Sequence, residues 1–165
     1  MKKYLLDSNV LIQAHRMHYP FDVVPNFWGK LIYLSNNKLI MSIDKVKKEI
    51  CDTLHPDELS SWCSQELDQT FFADSSSSID IYAEIASWTQ SNTIFSQSAK
   101  DEFLETDLAD PWLIAYAKKF GFTIVTHEIS QPQRRNRVKI PEPCIKFGVE
   151  YISPIQMFRE LGETF

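Results

Sequence analysis

Glycine is scarce in this chain: Gly29, Gly121, Gly148 and Gly162 are the only four in 165 residues, and each stands alone. A Walker loop and a dinucleotide fingerprint both need clustered glycines whose backbone can close around a phosphate, so both are excluded. No Gly-x-Ser-x-Gly elbow exists either, which leaves serine hydrolase chemistry poorly served. Cys51, Cys63 and Cys144 are far apart and odd in number, with no Cys-x-x-Cys pair. That pattern argues against a disulfide framework or a zinc knuckle and for ordinary thiols in a reducing compartment. No apolar run approaches the ~18 residues of a membrane span, and the segment before Asp7 is too short for a signal peptide. The expectation is a cytoplasmic protein with no membrane contact.

What is present suffices for one core. Hydrophobic residues make up 44% of the chain and aromatic residues 13%, which excludes disorder and fits a single domain over residues 1–165. The net charge of -5 is unevenly spread. Residues 43–110 carry fifteen acidic and four basic side chains, whereas residues 130–139 carry four basic and no acidic ones. Such a balance argues against a broad non-specific DNA-binding face. It leaves room for a nucleic-acid substrate if divalent ions bridge to phosphates and a local basic strip holds the backbone.

The chain is organised around its first strand. Tyr4-Leu5-Leu6 reads as a central parallel strand buried on both faces, and Asp7 falls at its carboxyl end, where open α/β sheets bind ligands. A solvated turn or a helix cap is the plainer role for an aspartate there. Ser8 or Asn9 can cap a helix over Val10 to His18, and Pro25 opens a second helix that stops at Asn36-Asn37. Leu39 to Met41 reads as a strand. Ser42 is the cap candidate for a helix through Ile43, Val46, Ile50 and Leu54, which carries Glu49 beside its apolar seam. Further helices are expected from Asp57-Glu58, over Ile79 to Trp88 and over Ser96 to Leu104, with Asp74 to Ser78 as a turn or loop. Asp110 fits the cap and Pro111 the first position of a late helix that Gly121 closes, with Asp107 one turn upstream. Thr123 to Thr126 is a strand that runs directly into His127-Glu128, placing Thr126 and Glu128 at a strand end like that of Asp7. Residues 139–144 are too proline-rich for a central strand; Val149 to Ser153 reads as the last strand, and Pro154 opens a closing helix. Trp28 and Trp112 read as core or partner-facing residues, with stacking on a base as the alternative.

Asp7, Glu49, Asp110 and Glu128 thus come from separate elements and can meet in one crevice. A site of carboxylates without histidine or cysteine suits Mg²⁺ or Mn²⁺, and such a cluster fits phosphodiester hydrolysis. Arg134, Arg135, Arg137 and Lys139 leave the sheet directly after Glu128 and suit phosphate contacts by a mobile basic strip; a solvated loop, or a surface for an acidic partner tail, is the alternative.

The opening Leu-Leu-Asp-Ser-Asn, the helix-borne Glu49, the run Ala-Asp-Pro-Trp-Leu-Ile-Ala-Tyr-Ala and Ile-Val-Thr-His-Glu together resemble PIN domains, the fold of VapC-type toxins. The segments at residues 19–28 and 139–144 resemble, more narrowly, the bacterial PIN-like family DUF4411. The resemblance implies a three-layer α/β/α sandwich on a mostly parallel sheet and an endoribonuclease that cuts single-stranded or structured RNA with metal-activated water. It also implies a cognate antitoxin as partner, and it admits a homodimer. By motif, Asp7, Glu49 and Asp110 match the metal-binding acids of such domains. Glu128 completes the catalytic set at a position where they usually carry aspartate, and Asn9, Asp107 and Thr126 are expected in support. A non-catalytic PIN-like protein-binding module and a structure-specific DNA nuclease are the rival readings.

Overall fold

The computed structural model describes residues 1–52 and 54–165. Among them five short strands form one sheet, all pairings being parallel: β1 (Tyr4–Leu6), β2 (Ile40–Ile43), β3 (Phe72–Ala73), β4 (Thr123–Val125) and β5 (Tyr151–Ile152), in the order β3-β2-β1-β4-β5. β1 is central, with Tyr4 opposite Ile40 on one side and Thr123 on the other. Tyr4, Leu5 and Leu6 are at most 1% exposed, so each contributes about 2 kcal/mol relative to an exposed position. This explains why the strand reads as a continuous apolar run rather than an alternating one.

Nine α-helices surround the sheet among the described residues: α1 (Ser8–Gln13), α2 (Pro25–Asn36), α3 (Asp44–Cys51), α4 (Glu58–Glu66), α5 (Ile79–Ser91), α6 (Gln97–Phe103), α7 (Asp110–Phe120), α8 (Pro141–Phe147) and α9 (Pro154–Leu161). The chain steps from β1 outward to β2 and β3, then returns to the other side of β1 for β4 and β5. Right-handed crossovers in opposite directions put helices on both faces. They also make the β1/β4 junction the point where strand order reverses, the place beyond the strands' carboxyl ends at which open α/β sheets bind ligands. No helix is long and apolar enough to cross a membrane among the described residues.

Several local expectations change. Phe72–Ala73 forms an edge strand that local pattern does not announce, and the serine run beyond it closes into a short 3₁₀ turn, Ser75–Ser78. Asp44 Oδ1 holds that turn by accepting from the Ser75 amide at 3.1 Å and hydroxyl at 2.6 Å. Ser42 is not a cap: it lies within β2 and donates its hydroxyl to the Leu6 carbonyl at 2.6 Å, joining two strands. The helix after it ends at Cys51, short of Leu54, which is exposed; Thr53, within the expected span, lies outside the described residues. Asp110 is the first residue of α7 and Ala109 holds the cap position, so the Asp110 carboxylate is not used up on the helix start. The proline-rich segment is a helix, α8, with Pro141 at its first position and Gly148 closing it at φ 70°, a positive φ that glycine adopts without strain. The helix begun by α1 continues as a wider turn over Ala14–His18, in which the Tyr19 amide reaches the Ala14 carbonyl at 2.7 Å. Trp28 and Trp112 belong to the core.

Candidate active site

Asp7 directly follows β1 and is only 1% exposed. Its amide donates to the Val125 carbonyl at 3.0 Å, so the backbone pairing of β1 with β4 carries the carboxylate into the crevice. The Thr126 hydroxyl, one residue past β4, donates to Asp7 Oδ2 at 3.1 Å. That hydroxyl in turn accepts from the Glu128 amide at 3.1 Å, which orients its hydrogen towards Asp7. On the other side, Ser8 has one proton to give, and the 2.8 Å contact to Glu49 Oε2 is favoured over the 3.5 Å approach to Asp7 Oδ1. Glu49 Oε1 accepts from the Ala109 amide at 2.9 Å, so the carboxylate on α3 fastens the residue before Asp110. Glu128 Oε1 accepts from the Ile140 amide at 3.0 Å, reaching the residue that precedes α8. Hydrogen bonds therefore join Glu49 to Ser8, the chain neighbour of Asp7, and run from the Asp7 carboxylate through the Thr126 hydroxyl to the Glu128 amide.

The electrostatics match this crowding. Burial pushes the Asp7 carboxyl up to about 7, and the nearby Glu128 and Glu49 charges add to the rise, against the Thr126 hydrogen bond. Asp110 is also held well above the ordinary carboxylate range by burial, then by Asp7, Glu128 and Glu49; Arg137 pulls it back. Two carboxylates that resist ionisation in one crevice are a feature of sites that take up a cation or a proton.

All four acids expected from the sequence thus act on one another, while the supporting residues divide. Thr126 is in the hydrogen-bonded line. Asn9 is exposed in the first turn of α1. Asp107 points away to Lys48 at 3.0 Å with its side chain 72% exposed, and it is not among the charges that shift Asp7 or Asp110. The basic strip is more fastened than its composition suggests. The Arg135 carbonyl accepts from the Ser96 amide at 2.8 Å, Arg134 Nε donates to Gln131 at 3.2 Å, Arg137 pairs with Glu102 at 3.4 Å, and Val138 is buried. Arg135 is exposed and Lys139 half-buried. The two residues that sequence reasoning gave no site role are Ser8, read there as a cap candidate, and His127, whose ring lies 5.7 Å from that of His18. Burial and His18 hold the His127 imidazole below its usual value.

The donors are carboxylate and hydroxyl oxygens, the chemistry of a hard divalent cation. Among the described residues no three His, Cys, Asp or Glu side chains are already placed to hold a metal ion. A recess of about 170 Å³ reaches the site at Glu49, lined also by Ile12, Arg16 and His55. The larger cleft of about 810 Å³, around His15, Phe21 and Trp62, is lined by none of the four acids.

Comparison with known proteins accords with this architecture. The profile of the family described as "Domain of unknown function (DUF4411)" matches residues 4–165. No protein of curated function matches the sequence. Among solved structures, a chain in the crystal structure of VapBC2 from Rickettsia felis, bound to a DNA fragment from their promoter, aligns with a TM-score of 0.51 at 18% identity. That alignment covers 91% of this chain and 97% of that one. A chain in the structure of FitAB bound to IR36 DNA aligns with a TM-score of 0.52 at 17% identity, covering 92% and 94% respectively. At these identities the likeness is one of fold, the PIN-like α/β architecture on a parallel sheet.

Proposed function

This chain belongs to the DUF4411 family, and from that premise and its PIN-like fold we propose that it is a metal-dependent endoribonuclease cutting single-stranded RNA, the toxin of a toxin-antitoxin pair. The observation that carries the reading is the convergence of Asp7, Glu49, Asp110 and Glu128 at the strand-order reversal, where burial, and after it their mutual charge, raises the pKa of Asp7 and Asp110. Asp7 and Asp110 would hold Mg²⁺ or Mn²⁺, with Glu49 contributing through its remaining lone pairs or through water. A divalent ion there supplies an activated water and offsets charge on the scissile phosphate. The chain's own residues supply the placement. Thr126 fixes the Asp7 carboxylate, Glu49 ties α3 to the start of α7, and Arg137 sets a positive charge close enough to Asp110 to lower its pKa. In the hydrolysis, water adds its oxygen to phosphorus, the bridging P–O bond breaks, and the leaving oxygen takes up a proton.

An antitoxin as partner and a cytoplasmic setting follow from the same reading, supported by the likeness to chains of VapBC2 and FitAB; a homodimer is compatible with it. The test is cleavage of end-labelled single-stranded RNA by the purified chain in Mg²⁺ or Mn²⁺, with EDTA and with Asp110→Asn as controls. Metal-dependent cutting that both controls abolish is the expected result. Cutting that survives EDTA overturns the metal assignment, and preference for branched DNA substitutes the DNA nuclease. A chain that cuts nothing leaves the protein-binding module, a reading favoured by the oxygens that Glu49 and Glu128 already commit to Ser8, Ala109 and Ile140.

A further inference from the structure

Glu128 sits where the crevice meets the basic segment, and its two polar ends do different work. Its amide donates to Thr126 Oγ1 at 3.1 Å, while its carboxylate turns away along the chain and accepts from the Ile140 amide at 3.0 Å. Residues 128 and 140 bracket the whole of the basic strip, so this bond closes its neck. A second carboxylate acts within the same closure: Glu142 Oε1 accepts from the Gln131 amide at 2.8 Å. Between these ties the segment is pinned to α6 twice, through the Ser96 amide to the Arg135 carbonyl at 2.8 Å and through Arg137 to Glu102 at 3.4 Å. Val138, 3% exposed, and Ile140, fully buried, plug it into the core.

Resting on the nuclease reading, we infer that Glu128 is a positioning residue: it clasps the loop of residues 129–139 shut and thereby holds Arg137 in place against Glu102, rather than binding the metal. Reach is the reason. The carboxylate must travel from the end of β4 to the cap residue of α8, and an aspartate, shorter by one carbon–carbon bond of about 1.5 Å, stops beyond hydrogen-bond distance from Ile140. An amide oxygen serves the clasp as well as a carboxylate oxygen does, because the partner is a main-chain N–H that needs only an acceptor. Length therefore matters at this position and charge does not, the reverse of what a metal ligand requires.

The opposite demands give an opposite ranking of variants. Amide hydrogen exchange is to be measured on the full chain for wild type, Glu128→Gln, Glu128→Asp and Glu128→Ala, alongside single-stranded RNA binding in Ca²⁺ and steady-state cleavage in Mg²⁺. Glu128→Gln is expected to keep the Ile140 amide and residues 134–138 protected as in wild type. Glu128→Asp and Glu128→Ala are expected to exchange up to about tenfold faster there, the effect of losing a single hydrogen bond. They are also expected to weaken RNA binding, so that the Asp variant's defect falls more on KM than on kcat. Restoration by Gln but not by Asp is the signature of the clasp. The inference is overturned if Asp protects Ile140 and Gln does not, or if all four proteins exchange alike. Wild type that neither binds nor cuts RNA would overturn the nuclease reading, while the exchange ranking would still decide the clasp.

Discussion

Asp7 ionises against opposition, because burial and then the Glu128 and Glu49 carboxylates all raise its pKa. Asp7→Asn keeps the volume and the acceptor for Thr126 while removing that charge. Two opposite effects are expected: RNA cleavage falls by about a hundredfold or more, and the metal-free protein at pH 8 melts a few degrees higher, about 1 kcal/mol corresponding to about 2–4 °C in a chain of this size. A circular-dichroism melt and a cleavage assay on one preparation check both; a variant less stable than wild type would show that the carboxylate is held by partners rather than crowded. Ser8→Ala should instead cost about 1 kcal/mol through the lost bond to Glu49, measurable by urea titration. The position of Asp7 was legible because a strand's carboxyl end is a local feature of the sequence. The Ser8 to Glu49 bond was not, because it joins α1 to α3 across 41 residues, and nothing in either segment names its partner. Asp107 shows the converse, since its spacing from Asp110 suggested the crevice and a nearby lysine drew it to the surface.

Among the elements, those with their own stop and start chemistry matched expectation. α2 begins at Pro25, and α7 ends at Gly121 with φ 77°. β3 and α8 were missed for different reasons. A strand of two residues, Phe72–Ala73, exists only through its pairing with β2, so tertiary contact defines it and local propensity does not. α8 had its signals in view, Pro141 and Gly148, but the two prolines were weighed against a strand rather than for a helix start. The basic segment is an element in its own right, and its ties change how its charges should be read. Arg134 and Arg137 already have protein partners, so binding a phosphate would exchange those contacts. For Arg134, Arg135 and Arg137 replaced together by alanine, RNA affinity measured against salt in Ca²⁺ should weaken, with the log–log slope shallower by about two units at ~0.7 per phosphate on single strands. Unchanged slope and affinity would assign the segment to loop structure or to an acidic partner.

At the scale of the whole molecule, strand order decides where charge accumulates. The order of strand addition reverses at the β1/β4 junction, and the ends of those two parallel strands deliver Asp7, Thr126 and Glu128 into one crevice that α3 and α7 complete with Glu49 and Asp110. The fold is thus built around a repulsion, and the pH dependence of its stability follows. Asp7 moves from an ordinary value of 3.8 in the unfolded chain to about 7 in the folded one, and Asp110 shifts in the same direction. Below about pH 4 both states are protonated at these groups and no penalty exists. Between about pH 4 and 7 the unfolded chain releases protons that the folded chain retains, so stability falls as pH rises, and it levels off once the folded carboxylates have ionised. The metal-free protein is therefore expected to melt at a higher temperature at pH 5 than at pH 8. A divalent ion bound by the ionised carboxylates removes the repulsion and stabilises by mass action, so millimolar Mn²⁺ should raise the melting temperature strongly at pH 8 and little at pH 5, where protons compete for the same oxygens. Differential scanning calorimetry in EDTA and in Mn²⁺ across that range checks the pair of trends. A metal-free protein whose stability is flat or rising from pH 5 to pH 8 would mean that the crevice does not carry the charge the four acids imply. An ion effect equal at both pH values would move the binding site away from Asp7 and Asp110.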